Sequence, residues 1–255
     1  MSFINNYKPR PTQNLKELPK SANEDPYDIN WSFPLPTALE SKRVQLVPFI
    51  PSLHAQPFAD AIKGDKQLFQ YMLWELQDPD VFLWLVEWLR ADPTSILFCI
   101  IDKTTPDASH PELGGSVAGL IGLYATSAQN LITEIGPIVV APAFQHTHVS
   151  SNATGIIMHY ALDLASASTS GLGMRRVQWR SNSMNVASVK TAQKMGFTYE
   201  GIMRWTFVLP EGKKGNKSRQ GDPLSGPGRD CVLLAVCWDD WENSVREKVD
   251  RLMDK

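Results

Sequence analysis

The sequence predicts an α+β fold in which a central sheet is flanked by about four helices. Three observations lead to it. Apolar segments with strand-like alternation recur along the chain, segments with helical periodicity and capping residues lie between them, and a proline interrupts the apolar strand predicted over 132–140. The chain has 255 residues, of which 43% are hydrophobic and 20% charged, so it can bury a substantial core.

The first 40 residues are predicted to form an extended arm, because they contain six prolines and show neither a helical nor a strand period. Trp31 and Phe33 are candidates to anchor the end of this arm to the domain, or to contact a partner. Regular structure is expected to begin with a strand over 43–49, whose apolar and polar residues alternate.

Two helices are predicted next, over 55–75 and 79–91. Asp78-Pro79-Asp80 indicates the start of the second helix, since it combines an N-cap, a proline at the first helical position and an acid in the first turn. Three strands follow over 95–102, 116–124 and 132–140, with an exposed loop at 103–115 between the first two.

The second half continues with a helix over 149–165 that carries one apolar stripe. A strand, a short helix closed by Gly196 and two further strands are expected after it, over 175–181, 186–195, 199–209 and 231–238. The glycine-rich, basic segment 211–230 is either a lid over the substrate or cofactor phosphates or a solvated hairpin insertion. The domain is therefore expected to span 41–241, with a C-terminal helical tail at 242–255.

Pro137 lies in the middle of the strand predicted over 132–140. Because proline cannot donate to a sheet ladder, this strand is an edge, carries a bulge, or lies where two neighbours splay apart. A splay leaves main-chain groups free to pair with an amide-containing ligand such as an acyl-pantetheine arm. The strand-to-helix turn at 145–150 then offers N–H groups at the positive end of a helix, which suits a pyrophosphate.

Two motifs carry a resemblance to a known family. The first runs through Glu134, Pro142, Phe144 and the loop 145–150, and the second through Asn185, Ser188, Lys194, Gly196, Phe197, Glu200, Gly201 and Arg204. Together they resemble the GNAT superfamily of acyl-CoA N-acyltransferases, in particular its RimJ/RimL-like branch. The resemblance covers roughly 41–241 and implies a mixed, mostly antiparallel sheet of six to seven strands, splayed in the middle. One departure is that His148 and Ser150 replace the two small residues of the family loop.

The resemblance implies acetyl-CoA as co-substrate and a set of residues that bind it. Asn185 is equally suited to cap the helix that follows it. The residues implied are Ile138, Val139, Val140, Gln145, His146, Thr147, His148, Val149, Ser150, Asn185 and Ser188.

The mechanism implied by the family is direct attack of a neutral amine on the acetyl thioester. Glu134 is the candidate base, acting through water, because alternation puts it on the face of Ile138 and Val140; a paired or surface glutamate is the other reading. Ser188 is the candidate acid or only a CoA ligand, since Ala192 occupies the position at which many family members have a tyrosine.

Other classes of function find little support. The three histidines His146, His148 and His159 lack a carboxylate or cysteine at matching spacing, so no metal is expected. A net charge of -2 and a pI of about 6.2 give no general attraction to nucleic acid or membrane. The three cysteines form no C-x-x-C pair and are expected to be reduced core residues, which favours a cytoplasmic protein.

The sequence therefore predicts an acetyl-CoA-dependent N-acetyltransferase that acts on a primary amine, either a protein N-terminus or a small molecule. The alternative is a non-catalytic CoA-binding or protein-interaction module of the same fold. The acceptor is open, as is the choice between monomer and dimer.

Overall fold

The sheet of the protein contains eight strands in a computed structural model that describes residues 4, 25–65, 67–74, 76, 78–166 and 171–255. They are arranged in the order β1-β2-β3-β4-β5-β6-β8-β7. Within the described residues all neighbours are antiparallel except β5 and β6. The strands are β1 (Leu39–Glu40), β2 (Val44–Pro48), β3 (Ile96–Asp102), β4 (Ser116–Ser127), β5 (Ile132–Val140), β6 (Arg176–Asn182), β7 (Thr198–Val208) and β8 (Gly228–Cys237).

The predicted α+β fold with a mixed, mostly antiparallel sheet is confirmed, with one strand more than expected. The additional strand is β1, because Leu39 and Glu40 pair with Leu46 and Gln45 of β2 at the end of the predicted arm. The helices are α1 (Pro51–Ala61), α2 (Pro79–Arg90), α3 (His148–Leu162), α4 (Val186–Lys194), α5 (Trp238–Asp240), a π-helical turn (Trp241–Val245) and α6 (Arg246–Met253).

The first predicted helix was misplaced, whereas the second was correct. Helix α1 begins at Pro51, which occupies the first helical position, and ends at Ala61, before Gly64 with its φ of +90°. Helix α2 begins as predicted, because the carboxylate of Asp78 accepts a hydrogen bond from the main-chain N–H of Asp80 at 2.9 Å.

Each face of the sheet has its own apolar core. Helices α3, α4 and α6 cover one face, where Phe98, Ile157 and Trp179 are buried. Helices α1 and α2 cover the other face, where Phe58 and Phe82 pack at a ring-centroid distance of 4.9 Å. That second core draws on β2 to β5 and on no described residue of β6, β7 or β8, so half of that face lacks a helical cover.

The described part of the arm, 25–40, and the C-terminal helices both brace α3. Trp31 donates from Nε1 to the hydroxyl of Tyr160 at 3.0 Å, and that hydroxyl donates to the carbonyl of Pro34 at 2.7 Å. Trp241 donates from Nε1 to Asp163 at 2.8 Å, just beyond the end of α3. The expected anchoring role of Trp31 is thereby confirmed; residues 1–24 of the arm, apart from Ile4, lie outside the described residues.

The cysteines are free, but only Cys99 and Cys231 are buried. Cys237 was expected in the core and is instead half-buried, because it lies at the junction of β8 and α5 and serves as the N-cap of that helix. Among the described residues, every helix is too short or too polar to cross a bilayer.

Candidate active site

Strands β5 and β6 part in the middle of the sheet, which is one of the three arrangements that the proline in β5 allowed and the one that the family resemblance implied. They pair only through Ile132–Glu134 and Arg176–Gln178. Beyond that point β5 stays with β4 and β6 stays with β8 up to Asn182. The main chain of β5 from Ile135 onward therefore faces an opening instead of a strand.

A cleft of about 710 Å³ fills this opening, a size typical of small-molecule sites. It contains nine of the residues proposed to bind CoA, which are Ile138, Val139, Val140, Gln145, His146, Thr147, Ser150, Asn185 and Ser188. Its wall also includes side chains that the sequence did not single out, among them Trp179, Lys190 and Thr191.

The loop from β5 to α3 ends in a capped helix start. The hydroxyl of Thr147 accepts a hydrogen bond from the main-chain N–H of Val149 at 3.3 Å and donates to the carbonyl of Phe144 at 2.7 Å. Helix α3 begins at His148, directly after Thr147, and is 15 residues long. Because Thr147 and Ser150 line the cleft, the positive end of the helix lies there. His146 takes the left-handed conformation in this loop, with a φ of +61°.

Two residues of the proposed set direct their side chains elsewhere. His148 places Nε2 3.1 Å from the carboxylate of Asp102 on β3, and Val149 is fully buried in the core. Burial opposes the charge of Asp102, but hydrogen bonds from Thr104, Thr105 and His148 outweigh it and lower the pKa of Asp102. His148 and Val149 therefore offer the cleft only main-chain groups at the helix start.

Helix α4 forms the opposite wall. Asn185 caps it, since its Oδ1 accepts a hydrogen bond from the N–H of Ser188 at 3.1 Å. The Oγ of Ser188 accepts from Nε1 of Trp179 at 3.0 Å, which fixes the hydroxyl at the wall of the cleft. Lys190 and Lys194 lie on the same wall and supply positive charge beside the loop of α3.

Glu134 lies at the last rung that joins β5 to β6, on the face opposite to the one expected. Ile135, Ile138 and Val140 all pack on the α3 side, because β5 carries an extra residue at Gly136–Pro137 that shifts the alternation. Simple alternation from Glu134 to Ile138 was therefore wrong, and Glu134 faces the side of α1 and α2.

The carboxylate of Glu134 is held by two partners on β6. Arg180 Nε lies 2.6 Å from Oε2, and Nε2 of Gln178 donates to the same oxygen at 2.8 Å. Burial raises the pKa of Glu134, and the hydrogen bonds from Arg180 and Gln178 oppose this rise without cancelling it. Sequence patterns could not reveal Arg180, because the contact depends on which strands become neighbours.

The basic loop after β7 reaches the segment beyond α1. Lys213 donates from Nζ to the carbonyl of Phe69 at 2.9 Å and to that of Met72 at 2.7 Å. Tyr71, between these two residues, lines the cleft. The loop is thus joined to the wall of the cleft through its first lysine.

Two of the three histidines weighed as metal ligands have separate carboxylate partners. His148 contacts Asp102, and His159 lies between Asp163 and Asp250 at 2.8 Å from each. Among the described residues, one group has metal-compatible spacing, formed by Cys237, Asp239 and Asp240 at the start of α5.

Comparisons with known proteins agree with this geometry. The model of the Acetyltransferase (GNAT) domain matches residues 43–198, which is more than half of the chain. No curated protein sequence matches. The chain belongs to the GNAT acetyltransferase family, whose members use acetyl-CoA.

Solved structures share the fold at low sequence identity. A GCN5-related N-acetyltransferase from Brucella melitensis has a TM-score of 0.68 and 22% identity over 86% of each chain. RimJ from Mycobacterium smegmatis, in complex with CoA-disulfide, has a TM-score of 0.61 and 14% identity over 82% of this chain and 88% of its own. The microcin C7 self-immunity acetyltransferase MccE, in complex with acetyl-CoA and AMP, has a TM-score of 0.56 and 17% identity over 77% and 93%.

Proposed function

We propose that this protein is an acetyl-CoA-dependent N-acetyltransferase that transfers the acetyl group directly to a primary amine in a ternary complex. The observation that carries the proposal is the gap between β5 and β6, which opens a cleft of about 710 Å³ against the positive end of α3. Membership of the GNAT family supports acetyl-CoA as the acyl donor.

The cofactor would lie along the cleft with its diphosphate on the loop 145–150 and its pantetheine arm along β5. The first N–H groups of α3 would hold the diphosphate, and Lys190 and Lys194 would add positive charge beside it. Val139 turns its carbonyl toward Gly119 of β4, away from the gap. The main chain of Ile138 and Val140 would pair with the amides of the arm, although Nε2 of Gln145 already donates to the carbonyl of Val140 at 3.1 Å. The N–H groups therefore become the more important partners, including as oxyanion donors.

Catalysis requires a base for the ammonium of the acceptor, and Glu134 is our candidate. Its raised pKa brings it closer to the working pH than an ordinary carboxylate, and a water molecule would relay the proton. Ser188 is the candidate acid for the departing thiolate, since its oxygen already accepts from Trp179 and its own hydrogen is left to donate.

A second candidate function, a CoA-binding module without catalysis, is favoured by two features. Glu134 is only 1% exposed and its carboxylate is occupied by Arg180 and Gln178, so a water molecule has little access to it. Ala192, at the position of the family tyrosine, is fully buried and offers no proton donor.

Release of free thiol from acetyl-CoA with a panel of primary amines separates the two functions. An enzyme turns over many times, whereas a binding module binds CoA stoichiometrically and releases no thiol above the rate in buffer. Multiple turnovers with any amine support the transferase, and CoA binding without turnover supports the module.

The cofactor assignment is tested with Asn185→Ser, because serine keeps the N-cap of α4 but lacks the amide nitrogen. We expect a several-fold higher KM for acetyl-CoA at an unchanged melting temperature. Asp78→Ser, which makes the same kind of change at the cap of α2, is the matched control. An unchanged KM in Asn185→Ser would remove Asn185 from the cofactor site.

We assign the activity to residues 41–241 and a bracing role to the arm and the tail at 242–255. Trp31 of the arm and Asp250 of the tail, which contact Tyr160 and His159 near the end of α3, support that role. The free cysteines support a reducing compartment such as the cytoplasm.

A further inference from the structure

The part of the sheet without a helical cover carries a cluster of polar and aromatic side chains on the face of α1 and α2. Five strands contribute to it, and all members except Glu134 are half-buried and thus open to solvent on one side. It forms around Glu134, at the rung where the cleft ends. We call it the sheet-face cluster; its members are Tyr124, Glu134, Gln178, Arg180, Phe207 and Arg229.

The two arginines of this cluster differ in their partners. Arg180 binds Glu134 through Nε and donates from Nη2 to the hydroxyl of Tyr124 at 3.1 Å. Arg229 lies on β8, between the strand of Arg180 and that of Phe207, with its guanidinium carbon 5.5 Å from the centroid of the Phe207 ring. Within the described residues, no carboxylate lies within 4.0 Å of its nitrogens, and its Nε is buried without a hydrogen-bond partner.

Asp230, the acidic residue next to Arg229 in sequence, forms its hydrogen bonds with other residues. Asp230 accepts from the main-chain N–H of Trp205 at 2.8 Å and from Nδ2 of Asn216 at 2.8 Å. The cluster therefore holds two guanidinium groups and a single carboxylate, which is already committed to Arg180. A buried donor without a partner is costly in a native protein, and an anion bound at the exposed side of the same guanidinium would offset that cost.

We propose that Arg229 binds an oxyanion carried by the acceptor, so that the substrate is an amine with a carboxylate or phosphate group close to it. This inference rests on the proposed transferase function. The planar guanidinium presents paired N–H donors that match both kinds of oxyanion, and the Phe207 ring holds its plane. The anion fixes the acceptor beside Glu134, at the end of the cleft where the reacting amine is needed.

The same charges disfavour a polycationic acceptor. A second ammonium group on a polyamine would meet Arg180 and Arg229, and the repulsion would weaken its binding. Among the acceptors that the sequence left open, an amine with a neighbouring oxyanion therefore fits the cluster better than a polyamine.

The test compares matched acceptors that differ only in the anion. The pairs are β-alanine with β-alaninamide and phosphoethanolamine with ethanolamine, with rates corrected for the fraction of free amine. We expect kcat/KM for the anionic acceptor to exceed that of its matched acceptor without the anion on the order of 10- to 100-fold. This range corresponds to the free energy that a hydrogen bond to a charged group contributes. Arg229→Gln should abolish this preference through a higher KM, and Arg229→Lys should restore part of it.

The matched control is Arg251→Gln on α6, an exposed arginine on the other face of the sheet, which should keep the preference. Equal kcat/KM for both matched acceptors in the unaltered protein overturns the inference while the transferase function stands. A uniform loss for both matched acceptors in Arg229→Gln also overturns it, because it indicates a structural role only.

If no amine is acetylated although CoA binds, the proposed function fails and a second measurement decides the anion site. With CoA at saturation, so that the loop of α3 is occupied, inorganic phosphate should raise the melting temperature of the unaltered protein and of Arg251→Gln but not of Arg229→Gln. An equal rise in all three, or no rise in any, overturns the anion site.

Discussion

Arg180 Nε lies 2.8 and 2.6 Å from the two carboxylate oxygens of Glu134, and this ion pair bridges β5 and β6 where they begin to separate. Glu134 belongs to the last rung, opposite Gln178, and Arg180 lies two residues further along β6. Because Glu134 is almost fully buried, loss of either charge leaves the other without its partner in a place poorly solvated.

Glu134→Gln should lower kcat on the order of 100-fold or more, since it removes the proposed base. The rate of the unaltered enzyme should fall with decreasing pH as Glu134 becomes protonated, at a pKa above its ordinary value of 4.5. The variant should lose that limb of the pH profile, measured by thiol release across a range of pH. It should also melt at a lower temperature, because Arg180 loses its counterion.

The matched control is Glu200→Gln, which breaks the ion pair with Arg176, 2.6 Å long but near the surface. Such pairs contribute about 0–1 kcal/mol, and kcat should not change. A Glu134→Gln enzyme with the kcat of the unaltered protein at every pH would exclude Glu134 as the base and leave it a structural ion pair.

Gly119→Ala should displace β5 from β4. Gly119 has a φ of +152°, and a Cβ at this position would lie 2.0 Å from the carbonyl oxygen of Val139 on β5. Val139 is one of the residues in the wall of the cleft. We expect a loss of about 1–3 kcal/mol or more in the free energy of unfolding, measured in urea, together with weaker CoA binding. Gly212→Ala is the control, since its φ of +86° is strained as well but its Cβ meets open space. Equal effects of the two variants would contradict the clash.

His146→Gly should stabilise the fold, because His146 holds a left-handed φ of +61° at some cost to an L residue. The gain is expected to be within about 1 kcal/mol, since the relief of 1–2 kcal/mol is partly offset by the greater freedom of glycine in the unfolded chain. His110→Gly, at a φ of -135°, should instead destabilise. Calorimetric unfolding distinguishes the two signs, and a loss of stability in His146→Gly would show that its side chain contributes more than its backbone costs.

Stability should also depend on His159. Burial opposes its charge, but hydrogen bonds and attraction to Asp163 and Asp250 outweigh burial and raise the pKa of His159 above its ordinary value of 6.5. A raised folded pKa means that this stabilisation is fully present below pH 6.5 and is lost as the pH rises through the folded value. The melting temperature should therefore fall on the alkaline side more in the unaltered protein than in His159→Gln. Parallel pH profiles would show that the charge of His159 contributes nothing.

The sequence predicted those features that depend on local chemistry. Asp78 with Pro79 marked the start of α2, because caps act on their own helix. Pro137 indicated that β5 is an edge, carries a bulge or borders a gap, because a missing N–H is a property of the residue itself. The candidate site followed from this gap and the helix after it, and nine of its eleven proposed CoA ligands line the cleft.

The remainder depends on contacts between distant segments. The extra residue at Gly136–Pro137 puts Glu134 on the opposite face of the sheet from Ile138. Alternation along one strand cannot predict such a bulge, because a bulge is defined by the pairing with the neighbouring strand. Arg180 and Arg229 meet Phe207 only because β8 lies between β6 and β7, an order that the sequence does not reveal. Lys213 likewise finds the carbonyls of Phe69 and Met72 across about 140 residues of chain, through the folded topology alone.

The entry and the exit of the described domain meet on consecutive residues of one helix, since Trp31 contacts Tyr160 and Asp250 contacts His159. The path of the chain from residue 25 to residue 255 is thus nearly a closed ring. A short peptide bridge between the two ends, with new ends cut in the exposed connection 103–115, should give a circular permutant that folds and keeps its cleft.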